Sequence, residues 1–173
     1  LGSEYYASNP LYPLGKTVAV LNMDALAVGG PARNFTISGN AQLELLDQLI
    51  ATAKQWDMVY SPDPKPEAGH FFRSDHFPMA KRGVPAISYG SGEDLIDGGT
   101  AAGAAAEAEY NEKHYHQPSD EWQADWPMTG LARDLQVLYT LGRDLADSNA
   151  WPNWSNDSEF RKARDASASE RGL

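Results

Sequence analysis

Three short stretches combine residue types and spacings that could do chemistry. Asp24 closes the apolar run Thr17-Val18-Ala19-Val20-Leu21-Asn22-Met23. In open α/β sheets the residues just past the strands line the ligand crevice, so a carboxylate at this point can hold a metal ion rigidly. It can equally cap the turn that leads to Gly29-Gly30. The second stretch is His114-Tyr115-His116-Gln117-Pro118-Ser119-Asp120. Pro118 favours an extended residue before it, and an extended segment puts the alternating His114 and His116 on one face. Neutral imidazoles suit zinc, with Asp120 or a nearby carbonyl fixing the tautomer. The competing reading is a solvated polar loop. The third, Arg73-Ser74-Asp75-His76-Phe77, reads first as a helix N-terminus, with Ser74 as cap and Asp75 beside the positive end of the dipole. There His76 and Asp75 either support a ligand from behind or are purely structural.

Other chemistries lack their residues. The chain has no cysteine, which excludes disulfides, thiolate catalysis and Cys-ligated zinc. No Gly-x-Ser-x-Gly elbow, phosphate-binding Gly-rich loop, Gly-x-Gly-x-x-Gly or His-Glu-x-x-His occurs. The formal net charge of −10 and a pI near 4.7 argue against a nucleic-acid partner and against anionic lipid, both of which need clustered Lys and Arg. No apolar run approaches the roughly 20 residues of a membrane-spanning helix. With 42% hydrophobic and 22% charged residues, 173 residues are expected to form one globular domain.

The elements that must position these residues follow from the hydrophobic pattern. Thr17–Met23 reads as a strand buried on both faces, Asn34–Ser38 as a second strand and Val84–Tyr89 as a third. Asn40 is the expected N-cap of a helix reaching about Trp56, with Leu43, Leu46, Leu49, Ile50 and Ala53 at helical spacing. Ser61-Pro62-Asp63-Pro64-Lys65-Pro66 is a loop, and Gly83 ends the short helix that Ser74 begins. Residues 90–113, rich in Gly, Ala and Glu, read as a long surface loop or lid with room for a short Ala-rich helix. From Thr129, the spacing of Leu131, Leu135, Leu138, Leu141 and Leu145 predicts one amphipathic helix. Residues 150–173 are expected as an extended tail that frays from Arg161 onward. Strands alternating with helices give an α/β fold, three layers with a mostly parallel central sheet. Three strands are few for that architecture, so either a strand escapes detection or the sheet continues in other sequence.

Several of these pieces together resemble the dizinc aminopeptidases of metallopeptidase family 28, relatives of bacterial leucyl aminopeptidase and glutamate carboxypeptidase. Leu1-Gly2-Ser3 resembles the Gly-Ser that follows the family's Glu-Glu pair. Leu21-Asn22-Met23-Asp24 is similar to its Asn-x-Asp ligand strand. Arg73-Ser74-Asp75-His76-Phe77 with Gly83-Val84-Pro85-Ala86 resembles its Ser-Asp-His and Gly-Val-Pro-Ala block. Tyr115-His116-Gln117-Pro118-Ser119-Asp120 is similar to its closing His motif, and Trp151-Pro152-x-Trp154 with Ser158-Glu159-Phe160-Arg161 resembles a bacterial subgroup. The resemblance implies the zinc-exopeptidase fold and a site with two zinc ions, in which Asp24 and His116 each match one metal ligand. It also implies an oxyanion-stabilising role for Tyr115. Tyr89 and Trp122 would then border the pocket for the substrate's first side chain.

The sequence departs from that pattern in one respect. It contains no His-x-Asp and no Glu-Glu pair, the elements the family places before its Gly-Ser. The resemblance therefore implies the C-terminal part of a longer zinc-dependent exopeptidase, inactive on its own for want of the general-base Glu and the other ligands. It would be completed by an N-terminal half, or would self-associate through an open sheet edge. Zinc would be absent or weakly held here, and the substrate of the whole would be a peptide. By the same resemblance the location is secreted or periplasmic. Two alternatives stay open: a non-catalytic binding or assembly module of this fold, and a single-zinc enzyme like glutaminyl cyclase.

Overall fold

The computed structural model describes residues 1–24, 26, 29–40 and 42–172. Its centre is a four-stranded sheet of β1 (Val20–Met23), β2 (Asn34–Ile37), β3 (Val59–Tyr60) and β4 (Ala86–Ser91), in the spatial order β1-β4-β2-β3. β1 pairs with β4 and β2 with β3 in parallel, whereas β2 runs antiparallel to β4. The α/β layering expected from the pattern is present, with a mixed sheet that is mostly parallel. The fourth strand is the one the pattern missed. Two residues, Val59–Tyr60, carry no periodicity to detect.

Strand alternation sorts the helices into two layers. On one face of β1, Val20 packs with Ala7 of α1 (Gly2–Ser8) and with Met79 of α3 (Phe77–Ala80). Glu4 ties α1 to the stretch just after α3 through Arg82 at 2.7 Å and Lys81 at 3.2 Å. On the opposite face, Leu21 of β1 reaches the long helix α5 (Thr129–Ala146) at Gly142. The buried stripe Val137, Leu138, Leu141 and Leu145 of α5 shares one core with Leu46, Leu49 and Ala53 of α2 (Glu44–Ala53) and with Phe35, Ile37 and Ile87 from the sheet. Each of these Val, Leu, Ile and Phe side chains contributes about 1.5–3 kcal/mol by leaving water.

Several expectations change. β1 is a short edge strand, half-buried, and Met23 is 44% exposed. A run of apolar residues looks alike in the middle of a sheet and at its edge, because the pattern does not say which neighbours exist. Asn40 does not cap α2; Leu43 holds the N-cap position without a side-chain bond, and the Glu44 amide donates to the Asn153 carbonyl. Ser74 likewise caps no helix with its side chain, since α3 starts three residues later behind His76. The expected lid contains α4 (Gly99–Lys113), a full 15-residue helix with no apolar face, which is why no period marked it. Leu135 is 42% exposed and lies off the stripe of α5.

The C-terminal residues pack. Trp154 is fully buried, and its indole Nε1 donates to the Gly83 carbonyl at 3.0 Å. Residues 161–166 form α6 (Arg161–Ala166), where buried Arg164 donates to the Thr17 carbonyl at 2.9 Å and to that of Val18 at 3.3 Å. Gly83 has φ of +91°, and any Cβ there would strike the backbone of Ala163 and Arg164. Polar composition suggested fraying, but two bulky aromatics (Trp154, Phe160) and an arginine serving main-chain carbonyls give this segment its own anchors.

Candidate functional site

β1 and β4 are parallel, so their C-terminal ends lie at the same edge of the sheet, with Met23 opposite Tyr89. Asp24 stands immediately past β1 at this edge, exposed. Its Oδ2 accepts a hydrogen bond from Ser74 Oγ at 2.7 Å. Asn22, two residues earlier and therefore on the same face, donates from Nδ2 to Ser74 Oγ at 3.0 Å and to Ser88 Oγ at 3.1 Å. The chain Ser88–Asn22–Ser74–Asp24 thus runs from the sheet to the carboxylate and restrains it. Ser74, predicted as a cap, serves this purpose instead. The turn reading for Asp24 passes through Ala25, Ala27 and Val28, which lie outside the described residues.

Beside this chain His76 is completely buried, edge-on to Phe71 at 4.7 Å between ring centroids. Neither ring nitrogen has a hydrogen-bond partner among the described residues. Burial holds its pKa down to about 4, against a weaker upward pull from Asp24 and Asp75. The imidazole is neutral at pH 7. Asp75 itself is exposed on the surface.

His114 and His116 are not in an extended segment. They occupy the turn that follows α4, and His116 has a left-handed backbone with φ of +59°. Tyr115 stacks on the His116 ring at 3.9 Å, and both are exposed. His114 Nδ1 lies 3.2 Å from the Ser119 carbonyl, so it is a carbonyl rather than Asp120 that meets an imidazole here. Asp120 instead accepts a hydrogen bond from Tyr110 Oη at 3.0 Å. Pro118 does constrain its predecessor, but α4 already sets the direction of the chain.

Of the two expected pocket residues, Trp122 is 69% exposed on the surface. Tyr89 is buried, stacked on Phe35 with centroids 5.5 Å apart, and its hydroxyl donates to Asp134 at 2.8 Å. It faces α5 inside the core. Asp134 and Ser91 were not foreseen. The helical phase of Val137, Leu138, Leu141 and Leu145 does project back onto position 134, and a carboxylate on a buried stripe is the signal that could have found it.

The family model described as Peptidase family M28 matches residues 1–140, four-fifths of the chain. The chain belongs to peptidase family M28. The match spans β1, Asp24, the Ser74–His76 stretch and the turn carrying His116. No curated protein and no solved structure matches the chain. M28 members are peptidases, generally zinc-dependent. Among the described residues, however, no group of three or more His, Asp or Glu side chains is placed to hold a metal ion. Structural and catalytic zinc sites take at least three protein ligands. The described residues therefore do not compose a zinc centre by themselves.

Proposed function

We propose that this M28 chain is part of a zinc-dependent aminopeptidase, an exopeptidase removing N-terminal residues from peptides, in which Asp24 and His116 each supply one metal ligand. The observation that carries this reading is the Asp24 carboxylate, restrained by Ser74 and Asn22 at the C-terminal edge of parallel strands within the matched region. Such a restrained carboxylate is what a rigid metal site requires. The other ligands and the general base come from outside these 173 residues, since the sequence holds neither a His-x-Asp nor a Glu-Glu pair. They come from an N-terminal half or from a partner chain meeting the open edge of β1. The chain alone is therefore inactive. Tyr115, exposed beside His116, is available to a tetrahedral intermediate once the site is complete. No helix among the described residues is long and apolar enough to cross a membrane. The proposed location, secreted or periplasmic, rests on the family resemblance alone.

The test is metal analysis and hydrolysis of aminoacyl-p-nitroanilides, run on the full-length gene product and on this chain side by side. The reading expects zinc and turnover in the first, neither in the second, and at least a 100-fold loss of kcat in full-length Asp24→Asn. Equal turnover by both chains would overturn the incomplete-site argument. A folded, zinc-free and inactive full-length protein would favour the non-catalytic binding module.

A further inference from the structure

The sheet edge that carries Asp24 is built against the first turns of α5. Asp134 there is 5% exposed, and its carboxylate accepts two hydroxyl hydrogen bonds, from Tyr89 Oη at 2.8 Å and from Ser91 Oγ at 2.6 Å. Tyr89 and Ser91 are two apart on β4, hence on one face, and together they are the C-terminal end of that strand. One residue back, Arg133 Nη1 donates to the Ala32 carbonyl at 2.8 Å and Nη2 to that of Trp56. At position 130 the helix backbone lies directly on the peptide of Gly30 and Pro31, where any Cβ would collide. Positions 130, 133 and 134 are spaced i, i+3, i+4 and so form one helical face. That face grips both the strand end opposite Met23 and the stretch Gly30–Ala32.

Holding an ionisable group at this point has a cost that an apolar residue would avoid. Burial pushes the Asp134 carboxyl pKa up, with the Ser91 and Tyr89 bonds working against that rise. Leucine facing Phe and Ala would cover the same area without desolvating a charge. An apolar contact cannot, however, fix two hydroxyls to hydrogen-bond tolerance, and catalytic groups need placement to about half an ångström.

We propose that Asp134 is a positioning residue, a buried clamp on Tyr89 and Ser91 that sets the end of β4 and, through the pairing of Tyr89 with Met23, the placement of Asp24. This rests on the reading of Asp24 as a ligand, and the experiment separates the two. Amide hydrogen exchange in this chain is followed at residues 22–24 and 89–92, with α2 as internal reference. Asp134→Ala is expected to speed exchange at least tenfold in the two segments and less than twofold in the reference. Asp134→Asn, which still accepts from one hydroxyl and donates to the other, stays within threefold of wild type throughout. If Asp134→Ala does not fold, Tyr89→Phe with Ser91→Ala removes the same two bonds and is held to the same thresholds. Uniform acceleration in all elements, or no acceleration at 22–24, would overturn the clamp. In the full-length enzyme Asp134→Ala is expected to lower kcat at least tenfold with KM within twofold, and Asp134→Asn to restore it. Unchanged kcat would overturn the link to Asp24. A wild-type enzyme without turnover would sink the proposed function instead, while the exchange pattern decides the clamp independently.

Discussion

Between pH 6.5 and about 5, acid should weaken this fold chiefly through His76. Its ring is wholly buried against Phe71, with both nitrogens unpaired among the described residues, and burial keeps its folded pKa down to about 4 against 6.5 for the free side chain. Above pH 6.5 the imidazole is neutral in both folded and unfolded chains, so the term vanishes. As pH falls through 6.5 the unfolded chain binds the proton first, and stability drains until the folded imidazole also titrates near pH 4. At one pKa unit per 1.36 kcal/mol the full loss is on the order of 3 kcal/mol, of which about 2 kcal/mol is gone at pH 5. For a chain of this size that corresponds to a fall in Tm of roughly 4–8 °C. Urea unfolding of the wild type and of His76→Leu at pH 7.5 and pH 5.0 measures the effect. Leucine fills nearly the same volume without a titrating group, so its decline over this interval should be smaller by about 2 kcal/mol. If the two proteins decline in parallel to within about 0.5 kcal/mol, the buried neutral imidazole is not the acid-sensitive element and the reasoning fails.

Other substitutions probe the packing. Gly83→Ala must place a Cβ against the backbone of residues 163–164 at a positive φ, and should cost at least about 2 kcal/mol in chemical denaturation. Trp154→Ala empties a fully buried indole site and orphans the Gly83 carbonyl, with an expected loss of about 3–5 kcal/mol. Leu135→Gln, although it alters a leucine of the apparent heptad-like stripe, should leave stability within about 0.5 kcal/mol because that side chain faces water.

How much of this fold could be read from residues alone depended on whether one segment carried its own instructions. α5 has a buried stripe at helical spacing over 18 residues, and it was legible. β2 and β4 were legible as short β-branched and aromatic runs between turn residues. Elements defined by partners were not. β3 exists because Val59 and Tyr60 fall beside Asn34 and Phe35, an encounter no local pattern records. The helix start at Glu44 is set by the Asn153 carbonyl, more than a hundred residues away, which overrode the Asn40 cap. The C-terminal segment looked polar because its arginines are numerous. Arg164 nonetheless sits in the interior, between main-chain carbonyls and the face of Trp151 at 5.7 Å.

The candidate site divides along the same line. The position of Asp24 at the end of β1 was readable because a strand announces its own end, and Asn22 falls on the same face by the period of two. The role of Ser74 was not, since its nearest reading in sequence is a cap and its actual partners lie 50 and 52 residues away. His116 shows the reverse problem. Its motif is visible, yet the geometry implied by Pro118 yields to the helix α4 that precedes it, whose lack of an apolar face hid it from pattern analysis. Asp134 is the instructive case. A carboxylate on the core-facing side of an amphipathic helix breaks the local rule that charges face water, and nothing nearby in sequence compensates. Its compensation is two hydroxyls on β4, more than 40 residues upstream. A local conflict resolved only by distant hydrogen bonds is expected where a chain holds geometry at the expense of simple packing. That is the physical reason to look for function at this edge of the sheet rather than in the better-packed interior between α2 and α5.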